Sequence, residues 1–452
     1  MLGVGLSLTG RLRSSVFSPA SLFRASEPGV WYDPSDLTTL FQDTAGTTPV
    51  TTPGQTVARI NDKSGRGNHA TQATAASRPT YGVVPQGGRR NLLERTEEFD
   101  NAYWTKTAVT VSTNTSATTD SVGSNTADVV SETTNTAFHF VELQTAISFA
   151  ATQYTFTAYL KQGTQRYAGI HINDGTARGC SIDLQTGTLG TPYGSATASR
   201  VVLANGWYRL TVTATVSATA SGQVAIYMSN SNSLASYAGN TANNIYIWGA
   251  QLETGSTATA YQRVGSAFDV TEAGVPSLSY LSFDGVDDFL VTPTITPNTD
   301  KAQVFAGVRK LSDAAEGEIV GLSTAPGTSN GTLTLSAPTL SRYYFGSRGS
   351  ALQGHLSGSS FPVPITNVLT GIGDISGDRA TLRVNGVLNG TNQADQGTGN
   401  YLAYPLYIGR RGGTTLPFNG NIFSLVVRFG ANLDANTITN TETWVNGKTG
   451  AY

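Results

Sequence analysis

Alternation with a period of two is the pattern that most constrains this chain. Tyr154-Thr-Phe-Thr-Ala-Tyr-Leu160, Trp207-Tyr-Arg-Leu-Thr-Val-Thr-Ala-Thr-Val216, Gln223-Val-Ala-Ile-Tyr-Met228 and Asn244-Ile-Tyr-Ile-Trp-Gly-Ala-Gln-Leu252 each set large or apolar residues against small or polar ones. Successive side chains of a strand leave on opposite faces, so each segment offers one face to a core and one to water. Asn205-Gly206 and Asp174-Gly175 sit in the connections, and such pairs tolerate the positive φ of tight hairpins. Short strands at regular spacing with such turns specify an antiparallel sandwich.

Composition agrees and excludes several function classes. Charged residues make up 13% of the 452, about half the ~25% of an ordinary soluble domain. Fifty glycines and abundant Thr, Ser and Asn take their place, a mixture poor for helices and suited to strands and turns. A net charge of −2 gives no electrostatic footprint for nucleic acid, and Arg89-Arg90 is only a pair. No run approaches the roughly 18 apolar residues that span a bilayer, so no membrane partner is expected. The single cysteine, Cys180, reads as a small buried hydrophobe. At the start, the apolar run of Met1-Leu-Gly-Val-Gly-Leu-Ser-Leu-Thr-Gly-Arg-Leu-Arg13 precedes its arginines, the reverse of a secretory leader.

The chain is long enough for two or three domains. Residues 1–28 lack a clear period and read as an attachment arm, the alternative being an edge strand and loop of the first domain. After residue 276 the strands expected are 302–308, 331–335, 381–384, 406–408 and 422–429, with Asn385-Gly386 as a hairpin turn. Asp434 to Val445 has near-helical apolar spacing, which predicts one short helix stopped at Asn446-Gly447.

Three groups of residues carry a family likeness. The first is Trp31-Tyr-Asp-Pro-Ser-Asp36, Asp62-Lys-Ser-Gly-Arg-Gly-Asn-His-Ala-Thr-Gln72 and Phe283-Asp-Gly-Val-Asp-Asp288. The second is Val384-Asn-Gly-Val387, Tyr407-Ile-Gly-Arg-Arg411, Phe418-Asn-Gly420 and Glu442-Thr-Trp-Val-Asn-Gly-Lys-Thr-Gly450. With these the chain resembles tailed-bacteriophage virion proteins that contain concanavalin A-like (laminin G-like) sandwiches. The third is Asn91-Leu-Leu93, Phe99-Asp-Asn-Ala-Tyr-Trp104, Gly206-Trp-Tyr-Arg-Leu210 and Gly249-Ala-Gln-Leu-Glu253 with Ala260-Tyr261, which is similar to carbohydrate-binding-module-like jelly rolls. The resemblance implies an all-β chain of two antiparallel, jelly-roll-type β-sandwiches, one inserted into the other, with a short C-terminal helix. Its parts would be an arm (1–28), a discontinuous outer sandwich (29–86 plus 276–452) and an insert (87–275).

Candidate site residues are sparse. Tyr343 and Tyr344, with Arg342 and Arg348 nearby, form the best cluster for stacking on a sugar and bonding its hydroxyls. Trp104, Trp207 and Trp248 fall on strands and read as core. Asp284, Asp287 and Asp288 offer hard oxygen ligands for calcium, which sandwiches of this resemblance hold in loops, although Asp-Gly is also an ordinary turn pair. Glu316 and Glu318 are the closest acidic pair for glycoside hydrolysis, but a loop is their expected home. His69, His139, His171 and His355 lie far apart, with neither zinc spacing nor a nucleophile elbow.

The expectation is therefore a non-enzymatic phage structural protein, located in the virion after assembly in the host cytoplasm. It would be a tail fibre, spike or side-protein that contacts host-surface polysaccharide. Residues 1–28 would join it to other virion proteins, and a homo-oligomer (trimer or dimer) is expected. The alternatives are a capsid decoration or head-fibre protein that contacts mainly other subunits, and a glycan depolymerase using Glu316 or Glu318.

Overall fold

A computed structural model describes residues 17–216 and 220–452. The chain is almost all β and divides into two compact units. One holds the described residues up to Gly82 together with Leu278–Tyr452, and the other is Val83–Ser277.

The outer unit is a sandwich of two antiparallel sheets. In the first, Asn419–Phe429 is flanked by Gly29–Tyr32 and Ser277–Asp284 on one side. On its other side follow Lys301–Lys310, Ile365–Asp374, Arg379–Val384 and Val387–Asn392. The second runs from Leu40–Phe41 through Arg59–Ile60, Ala70–Thr71, Leu290–Val291, Leu406–Ile408, Gly317–Leu322, Thr332–Ala337 and Tyr344–Arg348 to Leu352–Leu356. The sheets meet closely enough that a Cβ at Gly371 would lie 2.2 Å from the Phe345 ring. Asn385 and Gly386 take φ of 51° and 74°, as a two-residue hairpin between right-twisted strands requires.

The helix Ala435–Thr449 packs Val445 against Phe305, Val368 and Val426 of the first sheet. Asp434 caps it by accepting from Thr437 N at 2.9 Å. It does not stop at Asn446-Gly447, as its sequence suggests, but runs one further turn to a left-handed Gly450. Two contacts allow this. Thr449 fits against Gly307, where no Cβ could be placed, and Asn446 accepts from the backbone N–H groups of Ala451 and Tyr452.

Residues 1–16 of the expected arm lie outside the described residues. Residues 17–28, expected as part of that arm, pack within the outer sandwich itself. Leu22 and Phe23 are buried against Trp31, Phe305 and Val426. Arg428, only 6% exposed at its side chain, donates to Leu22 O, Gln303 Oε1 and Ala431 O and pairs with Glu27 at 3.0 Å.

The inserted unit is a second sandwich. Its first sheet orders Ala177–Asp183, Tyr167–Asn173, Ala220–Ser229, His139–Leu143 and Trp104–Thr107, with Ile147–Phe149 also on Ala220–Ser229. Its second orders Thr197–Val202, Trp207–Thr215, Gln153–Gln162, Asn244–Thr254, Asp128–Glu132 and Val109–Ser112. Between them Trp104, Phe156, Leu160, Ile170, Cys180, Leu210, Ile226 and Leu252 form one buried core.

Replacing Arg428 with Met would leave the Leu22, Gln303 and Ala431 carbonyl acceptors without their buried donor and the partly exposed Glu27 carboxylate without its ion pair. The expected cost is about 2 to 4 kcal/mol, with new cleavage within residues 17–28, read by urea denaturation and limited proteolysis.

Candidate functional site

The second sheet of the inserted unit buries one face and decorates the other. Phe156, Ala158 and Leu160 enter the core, so Thr155, Thr157 and Tyr159 leave on the opposite side. Register places Tyr159 between Arg209 on one neighbour and Trp248 on the other. A bulge follows Thr157, and Gly249 there takes φ of +60°. A Cβ at Gly249 would lie 2.9 Å from the Tyr159 ring and 3.3 Å from that of Tyr261, so the glycine lets both rings close in.

Two segments lie over this face. The loop 113–127 is organised by Asp120, whose buried carboxylate accepts from Val122 N, Ser124 N and Thr126 Oγ1. It closes on two indoles: Trp207 Nε1 donates to Thr119 O and Trp248 Nε1 to Thr126 Oγ1, each at 2.9 Å. The second segment is a strap, residues 255–261. Thr259 N donates to Glu253 at 3.0 Å, Gln251 Nε2 donates to Ala260 O, and Arg209 donates to Thr259 O at 2.7 Å.

Loop and strap leave a cleft of about 360 Å³ between them. Its floor is the partly exposed Tyr261 ring, backed by Trp248 and Tyr159, which are only 3% and 8% exposed. Trp248 stands 4.9 Å from Tyr159 and 4.7 Å from Tyr261, centroid to centroid, at steep mutual angles. Val122, Ala260 and Thr271 to Ala273 line the walls, and Glu97, Arg263 and Glu272 supply charge. Burial pushes the Glu97 carboxyl up, while the Tyr261 hydroxyl that bonds it and the Arg263 charge oppose this. For Glu272, burial also raises the carboxyl, but hydrogen bonds from Arg90 and Gln262 outweigh it and hold the group low. Arg263 is shared between Asp269 at 2.8 Å and Glu97 at 3.9 Å. One partly exposed ring, that of Tyr261, beside paired carboxylates and a guanidinium suits a hydroxyl-rich ligand with an apolar face.

The residues singled out from sequence lie elsewhere. Tyr343 is fully buried: its hydroxyl donates to Asn367 Oδ1 at 3.0 Å and Lys310 Nζ lies 5.0 Å from its ring. It cannot stack on an external sugar, and its place there is corrected to a core anchor. Lys310, itself fully buried, pairs with Asp313 at 2.6 Å. Tyr344 is half-buried and lies across Gly354, where a Cβ would stand 2.1 Å from its hydroxyl. Arg348 donates to Gly327 O at 2.8 Å and to Asn330, tying down a neighbouring loop. Tyr344 and Arg348 share a sheet face, but Tyr343 is not with them.

Glu318 is on the strand Gly317–Leu322, not in a loop as its sequence suggests. It accepts from Thr334 Oγ1 at 2.8 Å, and Glu316 accepts from Ser336 Oγ at 3.0 Å, so both acids hang over one face. Glu318 is 1% exposed, and burial pushes its carboxyl up to about 8.

Asp284, Asp287 and Asp288 do come together, with one carboxylate oxygen from each within 4.8 Å of the others. Asp284 Oδ1 accepts from Val286 N, Asp288 Oδ2 from Asp284 N and Asp287 Oδ2 from Ser77 Oγ. Three clustered carboxylates fit a hard dication such as calcium, and these three residues would hold it. Burial first, and then the Asp284 and Asp287 charges, push the Asp288 carboxyl up to about 7.

Tyr159, Trp248, Tyr261, Glu97 and Arg263 were not visible as a site in the sequence. Trp248 on a period-two strand reads as core, and the structure buries it to 3% exposure; the strap beside it, which makes the cleft, has no motif of its own.

No protein-family model matches this sequence, and no curated protein matches it. Among solved structures, a heptameric SAP-like pentraxin from Limulus polyphemus aligns over 35% of this chain and 78% of its own, at 14% identity and a TM-score of 0.30. The Ruminococcus gnavus IT-sialidase CBM40, bound to alpha2,3 sialyllactose, aligns over 31% and 82%, at 17% identity and 0.27. The botulinum neurotoxin serotype D binding domain aligns over 36% and 42%, at 12% identity and 0.30. At such scores none of them assigns a function.

The raised Asp288 carboxyl gives a pH signature. Its contribution favours the fold fully below about pH 4, the ordinary carboxylate range, and is lost as pH rises through about 7. The melting temperature of the outer sandwich is expected to fall across that window, and Asp288→Asn to flatten the slope. Millimolar calcium above that window is expected to raise the melting temperature of the native chain and leave Asp288→Asn unmoved. No shift in either protein would mark the three carboxylates as turn residues.

Proposed function

We propose that this chain is a non-catalytic, glycan-binding structural protein of a tailed-bacteriophage virion, a tail fibre, spike or side-protein that attaches to host-surface polysaccharide. The observation that carries the binding reading is the Tyr159–Trp248–Tyr261 cleft with Glu97, Arg263 and Glu272 at its rim. The partly exposed Tyr261 ring takes the apolar side of a pyranose, the buried Trp248 and Tyr159 hold that ring in place, and the rim groups bond the sugar's hydroxyls. The virion setting rests on the sequence resemblance. Residues 1–16 are the part of the arm left to join other virion proteins.

A second reading, a decoration or head-fibre protein, is favoured by one feature. The edge strand Val387–Asn392 leaves Val387 and Leu388 exposed, at 68% and 57%, a surface suited to a neighbouring subunit. Immunogold labelling of intact virions separates the two. Gold at the tail supports adhesion, gold over the head supports decoration, and no gold on virions at all overturns both.

Binding to host polysaccharide, read by calorimetry, is expected to fall at least tenfold for Tyr261→Ala, about 1.4 kcal/mol. Glu97 has a raised carboxyl, so it becomes an ionised acceptor only as pH rises above the ordinary carboxylate range. Affinity should therefore climb between acid and neutral pH, and Glu97→Gln should remove that dependence. An unchanged affinity in Tyr261→Ala would remove the cleft from the binding site.

A further inference from the structure

On the far side of the strap the same sheet face opens again. A second cleft, of about 410 Å³, is lined by Thr197, Ser199, Arg209, Thr211, Thr213 and the strap residues Ser256 to Ala258. Its lining is hydroxyl-rich where that of the first is aromatic. The two are adjoining halves of one face. Arg209 lies 5.6 Å from the centroid of the Tyr159 ring, so one residue pair borders both clefts. The strap contributes Ala258 to one cleft and Ala260 to the other. Residues two apart in an extended segment are only about 7 Å apart.

The divider is low and fixed. Thr259 is pulled down by Glu253 and Arg209, while Ser256, Thr257 and Ala260 point small side chains to solvent. Arg209 is anchored through its NH2 group to Thr259 O and Thr157 Oγ1, yet its buried Nε–H has no hydrogen-bond partner among the described residues.

From this geometry, and resting on the glycan reading above, we infer that the ligand is an internal stretch of a linear polysaccharide, which crosses the strap and occupies both clefts at once. One sugar stacks on the Tyr261 side, its hydroxyls facing Glu97 and Arg263. The chain then passes over Thr257 and Ala260, and sugars beyond it meet Arg209 and the threonine and serine hydroxyls. A terminal monosaccharide would use only half of this surface. Two half-sites on a rigid face, joined by the ligand's own backbone, gain affinity by effective concentration.

The test is a ladder of oligosaccharides, from single sugars to octamers, made by partial acid hydrolysis of the host polysaccharide and titrated against the full chain by calorimetry. Affinity is expected to rise at least tenfold between the shortest and longest members. Ser199→Trp fills the second cleft from an exposed strand position, and Thr257→Trp raises the strap. Each should abolish the gain for long members while leaving the short ones unchanged, so short-ligand binding also reports that the variants are folded. Equal affinity along the ladder, or a length gain that survives both tryptophans, overturns the two-cleft inference and leaves the glycan reading standing. Failure of every member and of the intact polysaccharide to bind overturns the glycan reading, and this inference with it.

Discussion

The pairing of Gln153–Gln162 with Asn244–Thr254 is the constraint on which the inserted sandwich depends. It sets Phe156 opposite Leu252 and Leu160 opposite Ile247 on the buried face. The same register sets Tyr159 opposite Trp248 on the other face. A slip of one residue would send the core outward and the aromatics inward, so burial of one face enforces the geometry of the other. The bulge after Thr157 then adjusts the aromatic side alone, and Gly249 gives the room for Tyr159 and Tyr261 to approach.

Charge is scarce in this chain, and much of what there is fastens the backbone. In the outer sandwich Arg428 holds residues 22 to 27, and Arg383 holds Glu442 of the helix through two hydrogen bonds of 2.7 and 3.0 Å. Lys310 and Asp313 do the same beneath Tyr343. In the insert, Glu132 gathers Gln165, Tyr237, Asn240 and Asn243 around one carboxylate. A buried ion adds little net stability over a well-packed apolar substitute, but losing one partner is costly. Such pins specify where a loop sits, and a sandwich made of repetitive Thr, Ser and Gly strands has few other features to do so.

The strands were legible because their signal is local. Alternation locates Trp207–Thr215 or Asn244–Thr254 within a residue or two, and Asn385-Gly386 announces its own φ. The helix end was misplaced because its stop is tertiary: Thr449 finds Gly307, and only then does Gly450 become the cap. The site was the least legible part. Tyr343 and Tyr344 are adjacent and conspicuous, yet neighbours on an extended chain face opposite ways, and one of them became core. Tyr159, Trp248 and Tyr261 are far apart in sequence and meet through register and a strap that local pattern does not reveal.

Both sandwiches face the same physical problem and answer it differently. Alternation gives each sheet an outer polar face, and that face must be solvated, filled or covered. On the outer sandwich, Thr332 donates to Pro326 O and Ser329 O and Arg348 to Gly327 O, so a loop is drawn onto the face beside Glu318. Glu318 ends up dry, with one carboxyl oxygen unpartnered among the described residues. Burial raises this carboxyl, because it penalises the charge more than Thr334 and Arg411 can restore. On the insert, the strap covers only the middle of the sheet. Thr155, Thr157, Gln251 and Glu253 are buried beneath it, whereas Tyr261 on one side and Ser199 on the other stay accessible. Partial covering supplies what a binding face needs: rigid walls from the strap's hydrogen bonds, and open floor on either side of it.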